Sequence, residues 1–156
     1  HTPLNPRHQR HPRLTSEPIR RDKLTLFVPV NHPWAEQGHV ALADLAGQAL
    51  VLRERGSITR EVFETALVNA GVKPGRLFEV QSREAVAEAV AGGFGVGIIF
   101  ASELGEDRRF RAVAIAGADL VVGEYAVALA ERRKLALVAA FFAAAADCAH
   151  EQGWLA

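Results

Sequence analysis

The residues best placed to do chemistry lie in the run Leu50-Val-Leu-Arg-Glu-Arg-Gly-Ser-Ile-Thr-Arg60. An apolar run ends, a glycine turns the chain, and a helix-forming stretch begins. That order gathers the unbonded N–H groups of a helix N-terminus at one spot, with the helix dipole behind them, and an anion is attracted there. Ser57 and Thr59 add hydroxyls, and Arg53, Arg55 or Arg60 can add charge. A small carboxylate or phosphonate suits such a place. The competing reading is plain capping, in which Ser57 or Thr59 satisfies a helical N–H and binds nothing else.

A second candidate is Gln81-Ser-Arg-Glu84, which also follows a strand-like run and opens a helix. Ser82 either faces the same ligand or caps its helix, with Glu84 complementing the dipole. The glycines of Gly92-Gly-Phe-Gly-Val-Gly97 invite comparison with a dinucleotide fingerprint. They follow a helix and precede a strand, the reverse of the order a phosphate loop needs, so they read as turn and packing glycines. Catalysis finds no support: Cys148 and His150 are two apart on a helix and face different sides. Glu61/Glu64 and Glu84/Glu88 read as solvated helix faces. The 6 histidines include no His-x-x-x-His, so neither a metal nor a cofactor is expected. His1, His8 and His11 read as a tag remnant or a loose arm, and His32 as a turn residue.

The elements that must position these residues alternate. Leu24-Thr-Leu-Phe-Val-Pro-Val30 is a buried strand closed by a Pro-rich turn. Residues 40–46 read as a short helix, 49–53 as a strand, and a helix then runs from the Gly56 turn to Asn69, ended by Gly71 and Pro74. Residues 77–80 form a strand, Ser82 opens a helix to about Val90, and 95–100 form a strand apolar on both faces. Residues 110–115 and 125–129 read as strands. Residues 135–150 form an Ala-rich helix whose continuous apolar run predicts burial. Helices alternating with apolar strands imply an α/β fold with an open, mostly parallel sheet and helices on both faces.

Composition bounds the rest. A chain of 156 residues with 49% apolar and 23% charged residues buries one ordinary core and is not disordered by composition. Lys+Arg and Asp+Glu are 18 each, so no net basic field exists to hold DNA, and specific duplex binding by this chain alone is not expected. Residues 1–23 nevertheless carry six basic side chains (Arg7, Arg10, Arg13, Arg20, Arg21, Lys23) against Glu17 and Asp22, and their four prolines predict an irregular leader. The apolar stretches at 89–102 and 135–146 are shorter than the roughly 18–20 residues of a membrane span. With one cysteine and no secretion signal, a cytoplasmic, membrane-free protein is the expectation. The chain begins at His1, which marks a processed, tagged or partial sequence.

Taken in order, Leu26-Phe-Val-Pro-Val-Asn-His-Pro-Trp-Ala, Val40-Ala-Leu-Ala-Asp-Leu-Ala-Gly, the run at 50–60, Glu79-Val-Gln-Ser-Arg-Glu-Ala-Val and Gly93-Phe-Gly-Val-Gly-Ile-Ile-Phe-Ala-Ser-Glu-Leu resemble the effector-binding domain of LysR-type transcriptional regulators, over about residues 14–146. The resemblance implies a type 2 periplasmic-binding-protein-like fold of two α/β subdomains flanking an effector cleft. It implies that residues 24–30 are the first crossover strand and 31–109 a complete subdomain II. Residues 110–156 would be the return crossover and the C-terminal part of a partial subdomain I. The family's N-terminal winged helix-turn-helix, through which DNA would be bound, is not in this sequence.

The resemblance further implies that the loop at residues 56–60 lines the effector cleft of a bacterial regulator, with Ser57 and Thr59 contacting a small anionic effector, and that homo-dimers or homo-tetramers form; Arg60 and Ser82 join the expected contacts from the reading of the residues above. Residues 80–90 look most similar to regulators linked to aminoethylphosphonate use. The alternative is a transporter's solute-binding protein of similar fold. With subdomain I partial, Val138, Phe141 and Phe142 are expected to leave an apolar patch that drives self-association.

Overall fold

The computed structural model describes residues 11–118 and 120–155. The strands are β1 (Leu14–Pro29), β2 (His39–Ala41), β3 (Leu50–Arg53), β4 (Leu77–Val80), β5 (Val96–Phe100), β6 (Phe110–Ala116) and β7 (Val121–Leu129). The helices are α1 (Pro33–Gln37), α2 (Ile58–Asn69), α3 (Arg83–Ala91) and α4 (Ala136–Glu151), with short 3-10 turns at Leu42–Leu45, Ala101–Glu103 and Ala130–Arg132. The chain divides into two compact units. The larger is Lys23–Leu120; the smaller joins the described residues up to Asp22 with those from Val121 onward. The expected crossover segments, 24–30 and 110–115, both fall in the larger unit.

In the larger unit the strands lie in the order β2-β6-β1-β5-β3-β4. Parallel pairs join β2 to β6, β3 to β5 and β3 to β4, but β1 runs antiparallel to both of its neighbours, β5 and β6. Three of these five pairs are parallel, so the sheet is mostly parallel as expected, and β1 is the antiparallel exception. A buried apolar run encodes burial and not direction, so the sequence does not single out β1.

Side chains alternate through the sheet with period two, so each face has its own core. Leu24, Leu26, Val28, Leu50, Leu52, Val96 and Ile98 share one face with Phe63 and Leu67 of α2, and Trp34 and Ala35 of α1 pack against them. Phe27, Val51 and Ile99 face the other way, under Val86 and Val90 of α3. Each helix thus presents an i, i+4 stripe, 63/67 or 86/90, to one face. Burying an apolar side chain of this size contributes about 1.5–3 kcal/mol. These two helices carry the candidate residues at their N-termini, so the core itself sets where those residues sit.

Three expectations need correcting. Residues 40–46 do not form an α-helix. Val40 enters β2 beside Ile115, 1% exposed, and only a single 3-10 turn follows, held by the Asp44 carboxylate accepting the Ala41 N–H at 2.8 Å. Strand pairing overrides the helix propensity of the alanines and leucines.

Residues 14–23, read as part of an irregular leader, are the first half of β1 and pair with β7. None of them is buried, so no period-two signal exists to read, and Pro18 takes an exposed position on the strand. Residues 1–10 of that leader lie outside the described residues.

The third correction concerns α4. Only Phe142 and Ala149 of this helix are buried, and Leu137 is 83% exposed. Within the smaller unit Phe142 lies under the Arg133 guanidinium, 3.9 Å from its ring centre, and Arg133 also pairs with Glu17.

Candidate anion-binding site

β3 ends at Arg53, and the chain turns through Gly56, whose φ of 94° lies in the left-handed region that glycine tolerates. Ser57 is the N-cap residue of α2. Its own N–H donates to the Glu54 carbonyl at 3.2 Å, and its carbonyl accepts the Glu61 N–H at 3.0 Å. Between these, the N–H groups of Ile58, Thr59 and Arg60 belong to the first helical turn and have no intrahelical acceptor. The Ser57 hydroxyl makes no capping hydrogen bond.

Thr59 is only 9% exposed, yet its hydroxyl makes no hydrogen bond among the described residues. Among the described residues every enclosed side-chain nitrogen or oxygen has a partner, so Thr59 Oγ1 must reach the surface while the rest of the residue is buried. Capping consumes neither hydroxyl. The turn therefore offers donors, two hydroxyls and the positive end of a helix dipole in one place.

The arginines sort themselves differently from the sequence expectation. Arg53 Nε and Nη2 donate to both oxygens of Glu54, at 2.8 and 2.9 Å, and this bonding holds the Glu54 carboxyl below the ordinary carboxylate range. Arg60, expected to lend charge to a ligand, is 6% exposed and spends its guanidinium inside the protein. Nε donates to Glu64 at 2.9 Å; Nη1 donates to Glu79 at 2.5 Å and to the Arg53 carbonyl at 3.0 Å. Arg55, exposed at the tip of the turn, has no carboxylate partner among the described residues. The i+4 spacing of Glu64 is visible in the sequence. Glu79 is not, because β4 brings it in from 19 residues away.

Ser82 stands at the neighbouring strand tip. β3 and β4 run parallel with Arg53 beside Val80, so the starts of α2 and α3 both lie past the carboxyl ends of adjacent strands. Ligands of open α/β sheets sit beyond those ends. Ser82 Oγ accepts the Ala85 N–H at 3.0 Å, so it does cap α3, and its hydroxyl also faces the Glu84 carboxyl and helps hold it below the ordinary carboxylate range. The Gly92–Gly97 run is structural. Gly93 closes α3 at φ 78°, and a Cβ on Gly95 would lie 2.5 Å from the Ala49 carbonyl oxygen.

A cavity of about 230 Å³ lies elsewhere, beside α3, with Phe27, Ile99 and Phe110 at its floor and Arg83 and Arg109 at its rim. Its charges pair among themselves, Arg83 with Glu103 at 2.9 Å and Arg109 with Glu88 at 2.9 Å and Asp107 at 2.8 Å, and leave no spare cation for an anion. Among the described residues no helix is long and apolar enough to cross a membrane.

The family model described as the LysR substrate binding domain matches residues 4–149. The HTH-type transcriptional regulator CysL of Bacillus subtilis is 33% identical over 108 residues, 69% of this chain and 36% of that protein. The regulatory domain of Synechocystis PCC6803 CcmR, solved in complex with 2-PG, superposes with a TM-score of 0.77 at 22% identity, covering 86% of this chain and 66% of that one. The effector binding domain of QuiR, solved in complex with shikimate, gives a TM-score of 0.77 at 17% identity, covering 92% and 68%. At these identities the structural likeness speaks for the fold, the type 2 periplasmic-binding-protein-like fold of such regulatory domains. The chain spans about a third of the length of the curated relatives it matches. These relatives are regulators, which does not favour a transporter's solute-binding protein.

Proposed function

The chain belongs to the LysR substrate binding domain family, and from that membership we propose that it senses a small anionic metabolite, a carboxylate or phosphonate, on behalf of a DNA-binding regulator. The observation that carries the anionic class is the turn at residues 57–59. A nine-tenths buried threonine with a spare hydroxyl sits among first-turn N–H groups at the positive end of α2. Ser57 and Thr59 are the contacts on this reading, with Ser82 beside them at the next strand tip. The shikimate held by QuiR is a carboxylate, which agrees in class. DNA contact falls to other parts of the regulator, since this chain carries no net charge. Ligand binding acts by favouring one of two conformations of the domain.

The test is a thermal-shift screen of this chain and of the intact regulator against shikimate, benzoate, inorganic phosphate and 2-aminoethylphosphonate. A ligand at about 100 times its Kd stabilises the folded state by about 2.7 kcal/mol. At least one compound should raise the melting temperature and shift the amide resonances of residues 57–59. A screen in which uncharged analogues stabilise and anions do not would overturn the anionic class.

A further inference from the structure

We propose that Arg60 is a positioning residue: it holds the turn at residues 57–59 in its anion-binding form and does not itself touch the ligand. This rests on the reading of that turn as an anion site. The guanidinium is 6% exposed and makes three hydrogen bonds, to Glu64, to Glu79 and to the carbonyl of Arg53. Arg53 is the last residue of β3 and Arg60 lies in the first turn of α2, so the bond between them closes the loop on itself. Glu79 stands beside Leu52 in the β3–β4 register, so the second bond ties the closed loop to the edge of the sheet. The third, to Glu64, runs one turn along α2 and fixes the side chain's own direction.

The charge count argues in the same direction. One guanidinium faces two carboxylates, so the cluster presents no positive charge to an anion. What it supplies is order. A loop already held in its binding form loses less freedom when a ligand arrives, and that saving appears as affinity. Lysine cannot replace the arrangement, because one ammonium lacks the planar fork that spans a carbonyl and two carboxylates.

Glu79→Ala separates a positioning role from a direct one, because the two predict opposite signs. If Arg60 bound the ligand, removing Glu79 would free its charge, delete a nearby negative charge and tighten anion binding. If Arg60 positions the turn, Glu79→Ala weakens binding. The experiment is an NMR titration of the 156-residue chain with inorganic phosphate and with benzoate, following the amides of Ser57, Ile58 and Thr59, together with their hydrogen-exchange rates. Expected are a loss of about fivefold in affinity, the worth of one net hydrogen bond, for both Glu79→Ala and Arg60→Lys, and faster exchange confined to residues 54–60.

Tighter binding by Glu79→Ala, or unchanged exchange in both variants, overturns the proposal. If Arg60→Lys does not fold, Glu79→Ala at the half-exposed edge strand carries the same readouts. Failure of the site reading looks different: Ser57→Ala and Thr59→Val leave probe affinity unchanged, while the exchange rates still report whether Arg60 orders the turn.

Discussion

Phe27 lies opposite Gly97 in the antiparallel β1–β5 pair, and its ring fills the space that a Cβ on Gly97 would occupy. Val90 of α3 closes the same space from above. The ring also meets Phe110 edge-on, with centroids 5.2 Å apart. Glycine at 97 is therefore a packing requirement of the α3 face, and the position of α3 depends on it.

Gly97→Ala should accordingly destabilise the larger unit by about 1–3 kcal/mol, the usual cost of overpacking a filled core. Urea unfolding followed by tryptophan fluorescence reads it. Gly97→Ala with Phe27→Leu should recover part of the loss, since the smaller side chain vacates the space. A single variant as stable as the parent would show that Phe27 can move aside.

At the anion site, Thr59→Val keeps the buried shape and deletes the spare hydroxyl. Affinity for a charged ligand that stabilises the intact regulator should fall by about 1.5–3 kcal/mol, the range for a hydrogen bond to a charged group. The unfolding midpoint should change little, because the hydroxyl has no partner to lose among the described residues. Calorimetry with Ser57→Ala alongside distinguishes a shared site from a single contact.

His32 caps α1, its Nδ1 accepting the Trp34 N–H at 3.1 Å. Partial burial disfavours the charged ring and lowers its pKa below the ordinary 6.5. The unfolded chain therefore binds the proton more readily, and stability rises with pH through this region. The cap's contribution is present above pH 6.5 and is lost as pH falls through the lower folded value. Melting curves at about pH 7.5 and about pH 5 should differ less in His32→Asn, which caps without titrating. An unaltered pH dependence in that variant would assign the effect to another group.

The smaller unit exposes Leu137 at 83% and Phe141 at 56%, one helical turn apart on α4, with Leu135 at 56% just before it. An apolar stripe of this kind in water favours association. Light scattering of the 156-residue chain at micromolar concentration should show self-association that weakens in Leu137→Glu/Phe141→Glu. The sequence expectation placed Phe142 in this patch as well, but Arg133 covers it, so Phe142→Ala should lower stability and leave association untouched. A parent chain that stays monomeric would refute the association.

Much of the larger unit is legible in the sequence because its signals are local. The apolar runs of β3, β4 and β5, the Ser82 cap and the glycine that ends α2 each act within a few residues, and each appears where expected. The strand–glycine–Ser-x-Thr–helix order likewise marks the candidate turn before any fold is known. Tertiary structure decided the rest. Direction is not written into an apolar run, so only the sheet shows that β1 opposes β5 and β6. Exposure is not written into composition, so α4 looks buried by sequence and stands largely in water.

Three arginines around the turn look equivalent along the chain. Partner geometry separates them, binding Arg53 to its neighbour and Arg60 to a glutamate 19 residues on, and leaving Arg55 without a carboxylate among the described residues. A charge's role depends on the groups that folding brings within hydrogen-bond distance of it, and those groups arrive from strands the local sequence does not contain.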